Sequence, residues 1–136
     1  MTDEEDLDLE WFSGRARLIR CDVHIDSRGT LLPLEFDRLP FVPHRVFTVA
    51  GMPAGTVRGG HGHRFGQQLL VCLQGQITAL LRREQEEAFT VLLPAGPGLI
   101  LGPGVWCRQT YVTANSVLLV LASEPYDPAS HIADGE

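Results

Sequence analysis

Short apolar runs cut by glycine and proline dominate this chain, and no stretch carries an apolar stripe over three helical turns. There are 14 Gly and 9 Pro in 136 residues. Both residue types break helices and favour turns, so the pattern predicts an all-β sandwich or barrel. The predicted strands are residues 17–24, 30–35, 45–50, 68–73, 76–83, 88–93, 99–101, 105–112 and 116–122. Asp26-Ser27-Arg28-Gly29 reads as a turn, and Gln74-Gly75 as the turn of a hairpin joining 68–73 to 76–83. Val117–Ala122 is apolar at every position, as expected of a strand inside a sandwich. The length fits one domain. Residues 1–10 read as an acidic flexible tail and residues 11–136 as the single folded domain.

Composition excludes several classes. The formal net charge is −6, which argues against a nucleic-acid partner. All 11 basic residues are Arg, a side chain suited to paired hydrogen bonds with phosphate. Cys21, Cys72 and Cys107 are odd in number and form no C-x-x-C pair, so they read as reduced thiols of a cytoplasmic protein. The opening MTDEEDLDLEWF lacks the basic-then-apolar pattern of a signal peptide. The six-residue run Val117–Ala122 is far too short to span a membrane, so no membrane partner is expected.

One segment carries the chemistry: Gly55-Thr56-Val57-Arg58-Gly59-Gly60-His61-Gly62-His63. In a strand, residues two apart share a face, so His61 and His63 point the same way. Imidazole exchanges a proton near neutral pH, which suits an acid–base pair. Gly55, His61, His63, Gln68 and Gly75 stand at the spacing G-x5-H-x-H-x4-Q-x6-G. This resembles the first cupin motif, with Gln68 where that motif has Glu. In the second motif the metal-binding His falls on Cys107. The resemblance implies a cupin-type antiparallel β-barrel, or jelly roll, that has lost two of four metal ligands. A metal centre of His61, His63 and Cys107 is the alternative that ligand chemistry leaves open.

A closer resemblance runs over about residues 22–132. Asp26-Ser27-Arg28-Gly29-Thr30-Leu31, Arg45-Val46-Phe47, Arg58-Gly59-Gly60-His61-Gly62-His63-Arg64, Gln68-Leu69-Leu70-Val71-Cys72-Leu73-Gln74-Gly75, Gly102-Pro103-Gly104-Val105-Trp106 and Val120-Leu121-Ala122-Ser123-Glu124-Pro125-Tyr126-Asp127 occur in this order. They resemble the segments of the nucleotide-linked 4-keto-6-deoxysugar 3,4-ketoisomerases. The resemblance implies an isomerase that converts a dTDP-linked 4-keto-6-deoxyhexose to its 3-keto isomer through an enediolate. It implies no metal and no redox cofactor. His61 would be the base and His63 its proton-shuttling partner, while Arg58, Gln68, Trp106, Tyr111 and Thr48 would bind substrate. A homodimer is implied, with residues 17–24 as the candidate for an exchanged N-terminal strand.

Three positions depart from that family's pattern. Phe47-Thr48 stands where two tyrosines are common, Cys107 where a His follows the Trp, and His131-Ile132 where an aromatic residue precedes Ile. A non-catalytic nucleotide-sugar binding module would keep the cavity and lose turnover. His24, His44 and His131 have no partner named by the pattern and read as surface residues.

Overall fold

The computed structural model describes residues 9–133. The expected acidic tail therefore lies largely outside the described residues; its last residue, Glu10, pairs with Arg17. The strands are β1 (Glu10–Trp11), β2 (Ala16–Ile19), β3 (His24–Asp26), β4 (Gly29–Leu31), β5 (Arg45–Val49), β6 (Thr56–His63), β7 (Gln68–Gln74), β8 (Ile77–Arg83), β9 (Glu86–Leu92), β10 (Gly98–Leu101), β11 (Trp106–Tyr111), β12 (Val117–Ala122) and β13 (His131–Ala133). Two 3-10 turns, Phe36–Arg38 and Pro128–Ser130, are the helical elements among the described residues.

The strands form two antiparallel sheets facing each other, the all-β barrel that the glycine and proline pattern predicts. One sheet has the order β1-β2-β10-β7-β12-β5 and the other β13-β6-β11-β8-β9, with β3–β4 a separate exposed hairpin. Alternation sorts the side chains. Leu70, Cys72, Leu99, Leu101, Leu118 and Val120 of the first sheet meet Ile77, Ala79, Leu81 and Tyr111 of the second. The opposite face of the first sheet presents Leu69, Val71, Ile100 and Leu121, which Phe41, Leu32, Leu34 and Leu39 cover. The apolar run of β12 is thus buried on both sides, which a polar alternation would not permit.

The expected hairpin of 68–73 with 76–83 does not form. β7 pairs with β10 and β12, whereas β8 pairs with β11 and β9. The turn at Gly75 carries the chain from one sheet to the other. Gly75 has φ +83°, and a Cβ there would collide with Ser116 Oγ and Thr113 Oγ1, so only glycine fits the corner. The predicted strand 17–24 is also divided: β2 pairs with β10 of its own chain, and His24 starts the β3 hairpin.

Candidate active site

A cavity of about 200 Å³ opens between β5, β7 and β12 on one side and β6, β11 and β13 on the other. His61 and His63 both face it, as the two-residue spacing predicts. Arg58 also lines it, although it precedes His61 by three residues, an interval that reverses faces in a regular strand. The reason is a bulge. Cys107 pairs with His61, but the next residue, Arg108, pairs with Gly59. Gly59 and Gly60 take φ +84° and +86° and absorb the extra residue, which brings Arg58 onto the histidine face. A Cβ at Gly59 would lie 3.1 Å from Cys107 O and 2.7 Å from Gln109 Oε1.

The partners on β11 follow alternation. Cys107, Gln109 and Tyr111 point inward. Tyr111 is fully buried and its hydroxyl has no hydrogen-bond partner among the described residues. Burial pushes its pKa up to about 12, so it remains a phenol able to donate to a ligand. Trp106, expected to bind substrate, faces the other way because it precedes Cys107 by one. It packs under Arg82, whose guanidinium carbon lies 4.7 Å from the ring centre, on the far face of the sheet. Thr48, also expected to bind substrate, is exposed outside this cavity, while Arg45, Phe47 and Val49 line it.

Gln68 lines the cavity, and its Nε2 donates to His63 Nε2 at 3.1 Å. Burial, then the charges of His131, His61 and Arg45, lowers the His63 pKa to about 4. Burial and His131 lower that of His61. Both rings are therefore neutral at physiological pH and free of a proton at one nitrogen.

His131 is the residue that sequence reasoning missed. Read as surface, it lines the cavity instead. β13 pairs with β6, placing His131 opposite His63. Its ring stacks on His61 with centres 4.5 Å apart and planes 4° from parallel, and meets His63 edge-on at 5.0 Å. The local sequence explains the placement. Asp127 caps the 3-10 turn by accepting from Ala129 N at 3.0 Å, with Pro128 starting the turn. Ser130 is buried, and its carbonyl accepts from Arg64 N at 2.7 Å. Tyr126 stands edge-on to His131 at 5.8 Å, and the Arg45 guanidinium lies 5.1 Å from its ring centre. The Asp-Pro-x-Ser signal before His131 was available in the sequence, but nothing in it names the strand that β13 joins.

The donor set does not fit a metal as placed. Ring nitrogens of His61, His63 and His131 lie within 4.8 Å of one another. Yet one ion cannot lie in the planes of two stacked, parallel rings, and imidazole binds metals in its plane. The alternative set with Cys107 is not brought together: the ligand atoms that lie within 4.8 Å of one another are those of His61, His63 and His131, and the Cys107 sulfur accepts from Gln109 Nε2 at 3.2 Å. Gln68 supplies no charge and is spent on His63.

The model of the family described as WxcM-like, C-terminal matches residues 15–136. The chain belongs to this family. A curated relative, the TDP-4-oxo-6-deoxy-alpha-D-glucose-3,4-oxoisomerase of Aneurinibacillus thermoaerophilus, is 34% identical over 109 residues, covering 79% of this chain and 78% of that protein. The crystal structure of the sugar 3,4-ketoisomerase QdtA from Thermoanaerobacterium thermosaccharolyticum, in complex with TDP, superposes with a TM-score of 0.85 at 33% identity, over 93% of this chain and 91% of that one. A variant of the same enzyme, solved with TDP-4-keto-6-deoxyglucose, gives a TM-score of 0.84 at 32% identity, over 93% and 90% of the two chains. This WxcM-like chain thus shares its cavity-bearing β-barrel with sugar isomerases.

Proposed function

We propose that this chain is a nucleotide-sugar 3,4-ketoisomerase that converts a TDP-linked 4-keto-6-deoxyhexose to its 3-keto isomer. The observation that carries the reading is the pair of neutral imidazoles facing a cavity that also presents Arg58, Arg45 and the unpartnered Tyr111 hydroxyl. The relatives named for this reaction support it.

The carbon next to a ketone loses a proton readily because the carbonyl oxygen takes up the charge. His61 removes the proton from carbon 3. Tyr111 donates to the developing oxyanion, a group worth stabilising in a site shielded from water. Arg58 and Arg45 stand at the cavity wall as donors to the diphosphate. His63, held by Gln68, fixes the adjoining wall. Aliphatic Leu70, Leu118 and Val120 shape the opposite side.

The protein works as a homodimer in this reading. Ile25 and Leu31 stand exposed on the β3–β4 hairpin, ready for a second copy. Its three free cysteines suit the cytoplasm. No helix among the described residues is long and apolar enough to cross a membrane.

The test is to mix the pure protein with dTDP-4-keto-6-deoxyglucose and follow the carbon spectrum. A 3-keto product at catalytic protein concentration is expected. A substrate that stays unchanged while still binding would replace the enzyme with a binding module.

A further inference from the structure

The reaction needs two proton-handling groups, one for carbon 3 and one for carbon 4. His61 supplies the first. His63, the partner expected from the sequence, is engaged: its Nε2 accepts from Gln68. Among the described residues, no hydrogen bond engages the ring nitrogens of His131 or His61. Their rings are parallel, so their nitrogens cannot bond each other and lie along two planes that open on the same cavity. A spacing of 4.5 Å between ring centres lets each address one of two bonded carbons from the same side.

We propose that His131 is the acid that returns a proton to carbon 4, in place of His63. The inference rests on the ketoisomerase reading above. The C3–H bond breaks, its proton goes to His61, and its electrons form a C3=C4 bond as the carbon 4 oxygen takes the negative charge. The proton on the carbon 3 oxygen passes to the carbon 4 oxygen. The carbon 3 oxygen then closes to a carbonyl, and the C3=C4 pair takes a proton from the His131 imidazolium. His61 loses its proton to solvent and His131 regains one, so nothing is consumed.

Placing both rings on one wall also fixes the product. The proton arrives at carbon 4 on the face from which the other left carbon 3. Carbons 3 and 4 of a gluco-configured hexopyranose carry their hydrogens on opposite faces. Delivery from the same face therefore gives the galacto product, with an axial 4-hydroxyl.

The experiment uses dTDP-4-keto-6-deoxyglucose in deuterated buffer with the wild-type protein and the variants His131→Phe and His131→Asn. Phe keeps a flat ring against His61, and Asn keeps polarity; both remove the acid. The wild type is expected to form the 3-keto galacto product with one deuterium at carbon 4. Both variants are expected to keep washing the carbon 3 hydrogen out of the substrate while product formation falls by roughly 10²–10⁴. A merely structural His131 would lose exchange and product together, and that result overturns the proposal when Tm and TDP affinity are unchanged. Wild-type product rates in either variant overturn it as well, as does a gluco product from the wild type. A wild-type protein that neither exchanges nor isomerises overturns the ketoisomerase reading itself, which is a different outcome from any of these.

Discussion

The two walls of the cavity are built from the same element, the antiparallel strand, and do different work. The wall of β5, β7 and β12 presents Phe47, Val49, Leu70, Leu118 and Val120, together with Arg45 and Gln68. The wall of β6, β11 and β13 presents Arg58, His61, His63, Gln109, Tyr111 and His131. The first follows from plain alternation and continues the core. The second needs a bulge and a docked terminal strand. Clustered polar groups lose hydration when buried, and the apolar wall is what keeps such a cluster in a packed barrel. The difference teaches that stability and chemistry are assigned to opposite sheets, so substitutions on the two walls should separate the two properties.

The largest expected effect is on the polar wall. His61→Asn removes the base and should lower kcat by roughly 10²–10⁴, about 3–5 kcal/mol in barrier, with Tm near that of the wild type. Steady-state rates and a thermal melt on the same sample check it. The mirror experiment is Leu118→Ala on the apolar wall, at a side chain 2% exposed. It should cost about 2–5 kcal/mol of stability, read from denaturant melts, with a smaller loss of kcat. Equal losses of both properties in both variants would dissolve the division.

A smaller effect tests the bulge. Gly59 and Gly55 share a φ of +84°, but a Cβ at Gly55 meets nothing within 4 Å whereas one at Gly59 meets Cys107 and Gln109. Gly55→Ala should cost about 1–2 kcal/mol from backbone conformation alone. Gly59→Ala should cost more and should also weaken TDP binding, because Arg58 is no longer held on the histidine face. Calorimetric titration of TDP against both variants distinguishes them.

The smallest effect is in pH. His61 is faced by His63 and Arg58 from its own strand, His131 from β13 and Arg45 from β5. Burial and then His131 hold its pKa below the ordinary 6.5. The neutral, basic form therefore persists to lower pH, and the acid limb of the carbon 3 exchange rate should lie below 6.5. Removing the His131 charge raises the His61 pKa, so His131→Phe should move that limb to higher pH. A limb that stays in place would show that His131 touches His61 by packing alone.

Most of the apolar wall could be read from the chain. The β12 and β7 segments were legible as strands from their apolar runs, and glycine and proline marked the strand ends. The histidine pair was legible from period two. Arg58 was reached by resemblance, since period two alone puts it on the wrong side; Gly59-Gly60 was the written sign of the bulge. Resemblance supplies positions but not faces, which is how Trp106 and Thr48 were assigned to a cavity from which alternation excludes them. Gln74-Gly75 announced a turn without saying which sheet receives the next strand. His131 sits in a three-residue strand within a polar tail, where no apolar pattern exists to reveal it. Its place comes from pairing with residues almost seventy positions away, and only the folded chain discloses that.

The most direct measurement compares wild type and His61→Asn in deuterated buffer with dTDP-4-keto-6-deoxyglucose, by proton NMR, with TDP binding as the control for an intact site. The account predicts that the wild type forms 3-keto sugar and places deuterium on the ring, while His61→Asn binds TDP equally well and does neither. A His61→Asn protein that still exchanges and isomerises at the wild-type rate would contradict it.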